Sequence, residues 1–174
     1  MSEAPLPGDQ ARVSVLVKVP PAEAFRVFTE EIDSWWRAGL KYRIGRRRSV
    51  VCLEPKLGGR LFESFETSSG SSKLRETGRV KCWEPPSLLV LEWRAVNFAA
   101  HEQTEVEVRF EPSPSGTLVT VTHRGWSRIR ADHPARHGEA APQFIRSMGW
   151  WWGDLMSSLR ERVSGANGVG NGSE

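Results

Sequence analysis

The stretch that decides the fold is the last long apolar run, Pro142-Gln143-Phe144-Ile145-Arg146-Ser147-Met148-Gly149-Trp150-Trp151-Trp152-Gly153-Asp154-Leu155-Met156-Ser157-Ser158-Leu159-Arg160-Glu161-Arg162-Val163. At the angular spacing of a helix, Phe144, Ile145, Met148, Trp151, Trp152, Leu155, Leu159 and Val163 share one broad stripe. Arg146, Gly149, Gly153, Asp154 and Ser157 lie opposite. The pattern predicts one helix over about 142–163 whose apolar face needs a large partner surface. Trp150 falls on the polar side and is the odd residue of this helix.

Upstream of the helix the period is two. Strands are predicted at 49–54, 59–66, 73–83, 87–96, 102–111 and 117–125, with 126–141 as an irregular polar connection. Their breaks carry turn chemistry: Glu54-Pro55-Lys56-Leu57-Gly58-Gly59, Ser68-Ser69-Gly70, Glu84-Pro85-Pro86 and Pro112-Ser113-Pro114-Ser115-Gly116. Short breaks between consecutive strands imply an antiparallel meander. Further back, Val13, Val15, Val17 and Val19 alternate with Ser14, Leu16 and Lys18, which predicts a half-buried strand. Pro20 and Pro21 end it. Ala24, Phe25, Phe28 and Ile32 then share a helical face, and Trp35-Trp36 closes a second short helix. A curved sheet cannot cover its own concave face, whereas a long amphipathic helix laid across it can. The fold class expected is therefore α+β, a helix-grip: about seven antiparallel strands wrapped around a long C-terminal helix, with two short helices after the first strand.

The chain has 174 residues, enough for one domain with a substantial core. Residues 1–10 and 164–174 are small and polar and read as loose tails, which leaves one domain over 11–163. Eight tryptophans exceed what stability alone requires, since one buried indole removes roughly 200 Å² from water. A net charge of +3 is too small to predict a nucleic-acid partner. The start, MSEAPLPGDQARV, has no apolar run of the secretory kind, and no stretch has the length of a membrane span. Cys52 and Cys82 stand in separate apolar stretches without a pairing motif, so buried free thiols in the cytoplasm are expected. No nucleophile elbow, zinc-protease motif or phosphate loop occurs, and no cofactor is expected.

Several short pieces recur in a known order: Val19-Pro20-Pro21-Ala22-Glu23-Ala24-Phe25, Trp35-Trp36, Glu54-Pro55-Lys56-Leu57-Gly58-Gly59-Arg60, Gly78-Arg79-Val80, Trp83-Glu84-Pro85-Pro86, Leu91-Glu92-Trp93 and Thr122-His123-Arg124-Gly125-Trp126. In these pieces, over about 12–163, the chain resembles the START/SRPBCC superfamily, in the branch of the activator of heat-shock-protein ATPase homologues. The resemblance implies the helix-grip fold. The superfamily includes lipid carriers, hormone receptors, polyketide cyclases and co-chaperone domains. In place of the Gly-Trp pair and spaced leucines often found in the last helix, this chain has Gly149-Trp150-Trp151-Trp152-Gly153-Asp154, which implies a pocket shape of its own.

An apolar ligand cavity is expected among Trp36, Phe62, Trp93, Phe98, Trp126, Phe144, Met148, Trp151 and Trp152, because so many wide rings pack poorly without leaving space. His123 shares a strand face with Val119 and Val121; it is either a ligand-binding or proton-moving group or a satisfied core histidine. Glu63 is open between a cavity carboxylate and a solvent-facing one, whereas Glu92 is expected on the convex side. Tyr42 is either at the cavity mouth or on a surface loop. His133 and His137 have a spacing that can hold a metal on a helix, but Pro134 and Gly138 argue against a helix, and no metal is expected. Lys41, Arg43, Arg46, Arg47 and Arg48 read as a solvated basic loop rather than a phosphate site.

Three functions fit these residues. One is binding or carriage of a small hydrophobic molecule, lipid or polyketide-like, in the cavity. Another is a co-chaperone-like or self-associating domain that meets a protein partner or a second copy through Trp150. The third is a cyclase or aromatase that uses His123 or Glu63 as acid or base.

Overall fold

The computed structural model describes residues 9–94, 98–129 and 141–167. Strand β1 (Gln10–Val17) buries Val15 and Val17 and turns Ser14 and Leu16 outward, as the alternation requires. Pro21 opens helix α1 (Pro21–Glu30), where its missing N–H would have had no helical partner anyway. This helix buries Ala24, Phe25, Val27 and Phe28, and α2 (Ile32–Trp35) follows at once. Then come β2 (Arg47–Leu53), β3 (Arg60–Glu66), β4 (Ser72–Glu84), β5 (Leu88–Trp93), β6 (Thr104–Ser113) and β7 (Gly116–Arg124). A 3-10 turn at Trp126–Arg128 and helix α3 (Ala141–Asn167) complete the described chain.

The seven strands form one antiparallel sheet in the order β1-β7-β6-β5-β4-β3-β2. The first strand is thus zipped to the last, from Gln10 opposite Arg124 to Val17 opposite Thr117. The three helices cover the concave face. Leu155, Met156, Leu159 and Val163 of α3 enter one core with Val15, Val17, Val108, Val119 and Val121 of the sheet and Phe25 and Phe28 of α1. A salt-bridge chain, Arg162 to Glu31 to Arg26 to Glu23, ties the far end of α3 to α1. A second, smaller apolar cluster sits where α3 begins: Trp126, Ile129 and Phe144, with Phe98, Ile145 and Met148 packed on it.

The helix-grip expectation holds, with local corrections. Helix α3 runs past Val163 to Asn167, into the stretch expected as tail. Met156, absent from the expected stripe, is buried at its edge. Trp126–Arg128 is a 3-10 turn inside the stretch expected to be irregular, because Gly125 (φ 98°) supplies the left-handed backbone that precedes it. Strand β5 ends at Trp93, and β6 starts at Thr104. Both thiols are free, yet half-buried rather than buried. The expectations for residues 1–8, 95–97, 130–140 (with His133 and His137) and 168–174 lie outside the described residues. Among the described residues no group of His, Cys, Asp or Glu could hold a metal, and no helix is long and apolar enough to cross a membrane.

Candidate functional site

A continuous band of rings crosses the molecule beneath α3. It starts at Tyr42, stacked on Trp151 at 5.9 Å, and Trp151 meets Trp36 at 5.8 Å. Trp36, which follows α2, stacks on Trp93 at the end of β5 at 6.4 Å. Trp93 meets Trp152 at 5.7 Å and His123 of β7 at 5.6 Å. His123 then meets Trp126 at 4.9 Å, and Trp126 meets Phe144 at 4.7 Å and Phe98 at 5.9 Å. Met148 packs against both apolar clusters. The expected cavity residues are therefore brought together, except Phe62 and Glu63. Most of the rings meet edge to face, the arrangement their quadrupoles favour.

Phe62 needs correction. Its neighbours Leu61 and Glu63 face inward, so strand alternation turns Phe62 to the other face, where the Arg60 guanidinium lies over its ring. Glu92 faces outward as expected, between the buried Leu91 and Trp93.

His123 has no exposed surface, and both its nitrogens are taken. The Trp152 indole N–H donates to Nδ1 at 3.2 Å, so the ring proton sits on Nε2 and points at Thr104 Oγ1, 2.7 Å away. The Thr104 hydroxyl donates in turn to the Trp93 carbonyl at 3.3 Å. Burial holds the His123 pKa down to about 3. This is the satisfied core histidine of the two alternatives, neutral and without a free position for a substrate proton. Thr104, which completes the chain, was invisible in the sequence because it is placed only by the pairing of β5 with β6.

Glu63 is 4 % exposed and inward, but it is a structural carboxylate. It accepts the backbone N–H groups of Ile44 (2.8 Å) and Gly45 (2.6 Å). Gly45 must be glycine, since a Cβ there would stand 2.3 Å from Phe65. The acid–base roles considered for His123 and Glu63 therefore have no free atom behind them. The same 39–45 loop is clamped by Arg43, the exception in the basic run. Its guanidinium donates to the carbonyls of Asp33, Trp36, Arg37 and Ser49 and to the Asp33 carboxylate. Tyr42 is at neither a cavity mouth nor a free surface: its hydroxyl donates to Asp154 of α3 at 2.7 Å and holds that carboxyl below the usual range. Trp151 Nε1 donates to the Lys41 carbonyl at 2.8 Å, which strengthens this clasp between loop and helix.

The other end of the band is less tightly closed. Trp126 is buried, yet its Nε1 is the one buried side-chain polar atom among the described residues with no hydrogen-bond partner. The side chains over it, Phe98, Ile145 and Met148, are only half-buried. Beyond Phe98 an open groove of about 410 Å³ runs along the middle of β4 and the end of β5, lined by Arg75, Gly78, Arg79, Glu92 and Arg94 among others. No residue of α3 lines it.

A search of curated proteins finds no match. Among solved structures, a crystal structure of a Nitrosomonas europaea protein superposes with a TM-score of 0.62 at 14 % identity and covers 94 % of this chain and 99 % of its own. A Cytophaga hutchinsonii solution structure gives 0.64 at 11 % identity, covering 92 % and 97 %. A Staphylococcus aureus protein of unknown function gives 0.61 at 13 % identity, covering 91 % and 95 %. At such identities these likenesses speak for the fold alone. A family model described as Activator of Hsp90 ATPase homolog 1-like protein matches residues 18–150. That match spans β2 to β7, both short helices and the start of α3, well over half of the chain, and so the chain belongs to the Activator of Hsp90 ATPase homolog 1-like family.

Proposed function

We propose that this protein binds a small hydrophobic molecule at the α3 end of the ring band, between Trp126, Phe144 and Phe98. One observation carries the reading: half-buried Phe98, Ile145 and Met148 lie directly over fully buried rings. An apolar guest there would displace water from side chains that the chain itself leaves partly wet, and apolar contact is the main driving force in such sites. The fold, whose family members commonly hold hydrophobic ligands, agrees with it. Free thiols at Cys52 and Cys82 fit a reducing compartment, and we place this function in the cytoplasm.

Native mass spectrometry of the protein purified from its own host is the test. The expected result is an apolar adduct that dissociates on unfolding. The extracted compound, at a hundred times its dissociation constant, should stabilise the fold by about 2.7 kcal/mol. Phe144→Ala should weaken its binding, while Leu74→Ala, an exposed change on β4, should not. Equal binding by Phe144→Ala would remove the reading.

A protein-partner reading has one observation of its own. Trp150 is 70 % exposed on α3, and large exposed rings are frequent anchors at interfaces. The family's name points to a chaperone ATPase as one partner class. A second copy of this chain is the other, and the mass in solution tests it.

A further inference from the structure

The buried indole of Trp126 has a donor and nowhere to put it. Natural interiors rarely tolerate this, because an unmade hydrogen bond forfeits the hydration the group had in water. Of the other four indole donors along the band, three are used, and that of Trp93, which is not fully sealed from water, has no partner among the described residues. Trp36 donates to the Tyr42 carbonyl, Trp151 to the Lys41 carbonyl and Trp152 to His123 Nδ1. The His123–Thr104–Trp93 chain is likewise complete and offers no spare donor. Among the described residues, Trp126 Nε1 is thus the one fully buried side-chain donor without a partner, and it lies at the half-open apolar end.

The surroundings narrow what can take that proton. Among the described residues, the groups on the Trp126 ring are Phe98, Phe144, Ile129 and neutral His123, none of them charged. A carboxylate or phosphate guest would enter a cluster of apolar side chains where, among the described residues, no cation touches the ring, at a large desolvation cost. An uncharged oxygen has no such cost.

We infer that the Trp126 indole N–H is the recognition donor of this site, and that the guest is an uncharged apolar molecule whose carbonyl oxygen accepts it. The inference rests on the ligand-binding reading above. It adds the chemistry that selects among apolar molecules: the carbonyl compound is preferred over both its hydrocarbon and its carboxylate counterpart.

A matched set of probes separates the two claims: 2-acetylnaphthalene, 2-ethylnaphthalene and 2-naphthoate, titrated by calorimetry into the wild type and into Trp126→Phe. In the wild type the ketone should bind about tenfold more tightly than the hydrocarbon, the worth of one buried hydrogen bond, and the naphthoate most weakly. In Trp126→Phe, which takes ring contact from both probes alike, the ketone and the hydrocarbon should bind with equal affinity. In parallel, the Trp126 indole N–H resonance of the ¹⁵N-labelled wild type, assigned through its contacts with Phe144 and His123, should move downfield with the ketone and not with the hydrocarbon. That arm does not depend on the variant's folding. Equal binding of ketone and hydrocarbon, a preference that survives Trp126→Phe, or an unmoved resonance under bound ketone overturns the inference and leaves the ligand-binding reading standing. Failure of all three probes to bind overturns both.

Discussion

At the residue scale, two tryptophans with the same side chain have opposite energetics. Trp152→Phe removes the donor to His123 Nδ1 and leaves a fully buried acceptor unpaired, which should cost about 1–3 kcal/mol beyond the packing lost. Trp126→Phe removes a donor that is already unpaired, so it should cost clearly less. Denaturant unfolding of the two variants checks the order. His123 makes a second prediction. Its folded pKa of about 3 lies below the unfolded value of about 6.5, so between these limits the unfolded chain binds a proton that the native chain refuses. Stability should therefore fall as pH drops from about 6.5, above the range where carboxylates respond. Melting curves of the wild type and His123→Gln between pH 7.5 and 5 read this: the wild type should slope and the variant should be nearly flat. Little of this was legible in the sequence. Alternation placed His123 inward, but its partners are Trp152, 29 positions on, and Thr104, two strands' pairing away. Phe62 was misplaced because Leu61 and Phe62 are both apolar and strand parity alone does not say which faces in.

At the element scale, periodicity is strong evidence for existence and weak evidence for ends. The α3 stripe and the seven sheet strands were readable because burial repeats along them, whereas the extra turn to Asn167 contains small residues without periodic signal. The 39–45 loop was unreadable for a different reason. Arg43 is fixed by carbonyls of Asp33, Trp36, Arg37 and Ser49 that only the folded chain gathers, so a residue that looks like part of a basic run becomes a clamp. Within α3, Gly149 and Gly153 flank the three tryptophans, and a Cβ at either would meet nothing within 4 Å. Each glycine costs the helix roughly 0.5–1 kcal/mol relative to alanine. Gly149→Ala and Gly153→Ala should therefore each raise the melting temperature by a few degrees, roughly 2–4 °C per kcal/mol at this size, as calorimetry would show. A drop would mean that side chains at these positions meet the sheet or loop after all.

At the scale of the whole molecule, Trp150 stands apart from the ring band and its surroundings. If its exposure serves self-association, Trp150→Ala should lower the mass measured in solution towards that of one chain; an unchanged single-chain mass in both proteins removes that reading. In either case the change should leave the melting point and the binding of any apolar guest near their wild-type values, since no core contact is lost. The sheet order has a consequence in time as well as in space. Among the described strands Gln10–Val17 is paired with the strand ending at Arg124 alone, so during synthesis it has no sheet partner until that much later strand has been made. The nascent protein must carry an unpaired, valine-rich edge while all the strands between these two are made, and such edges invite aggregation. The charged and polar residues that alternate with those valines, Arg12, Ser14 and Lys18, thus help to keep that waiting strand soluble before it has a sheet to join.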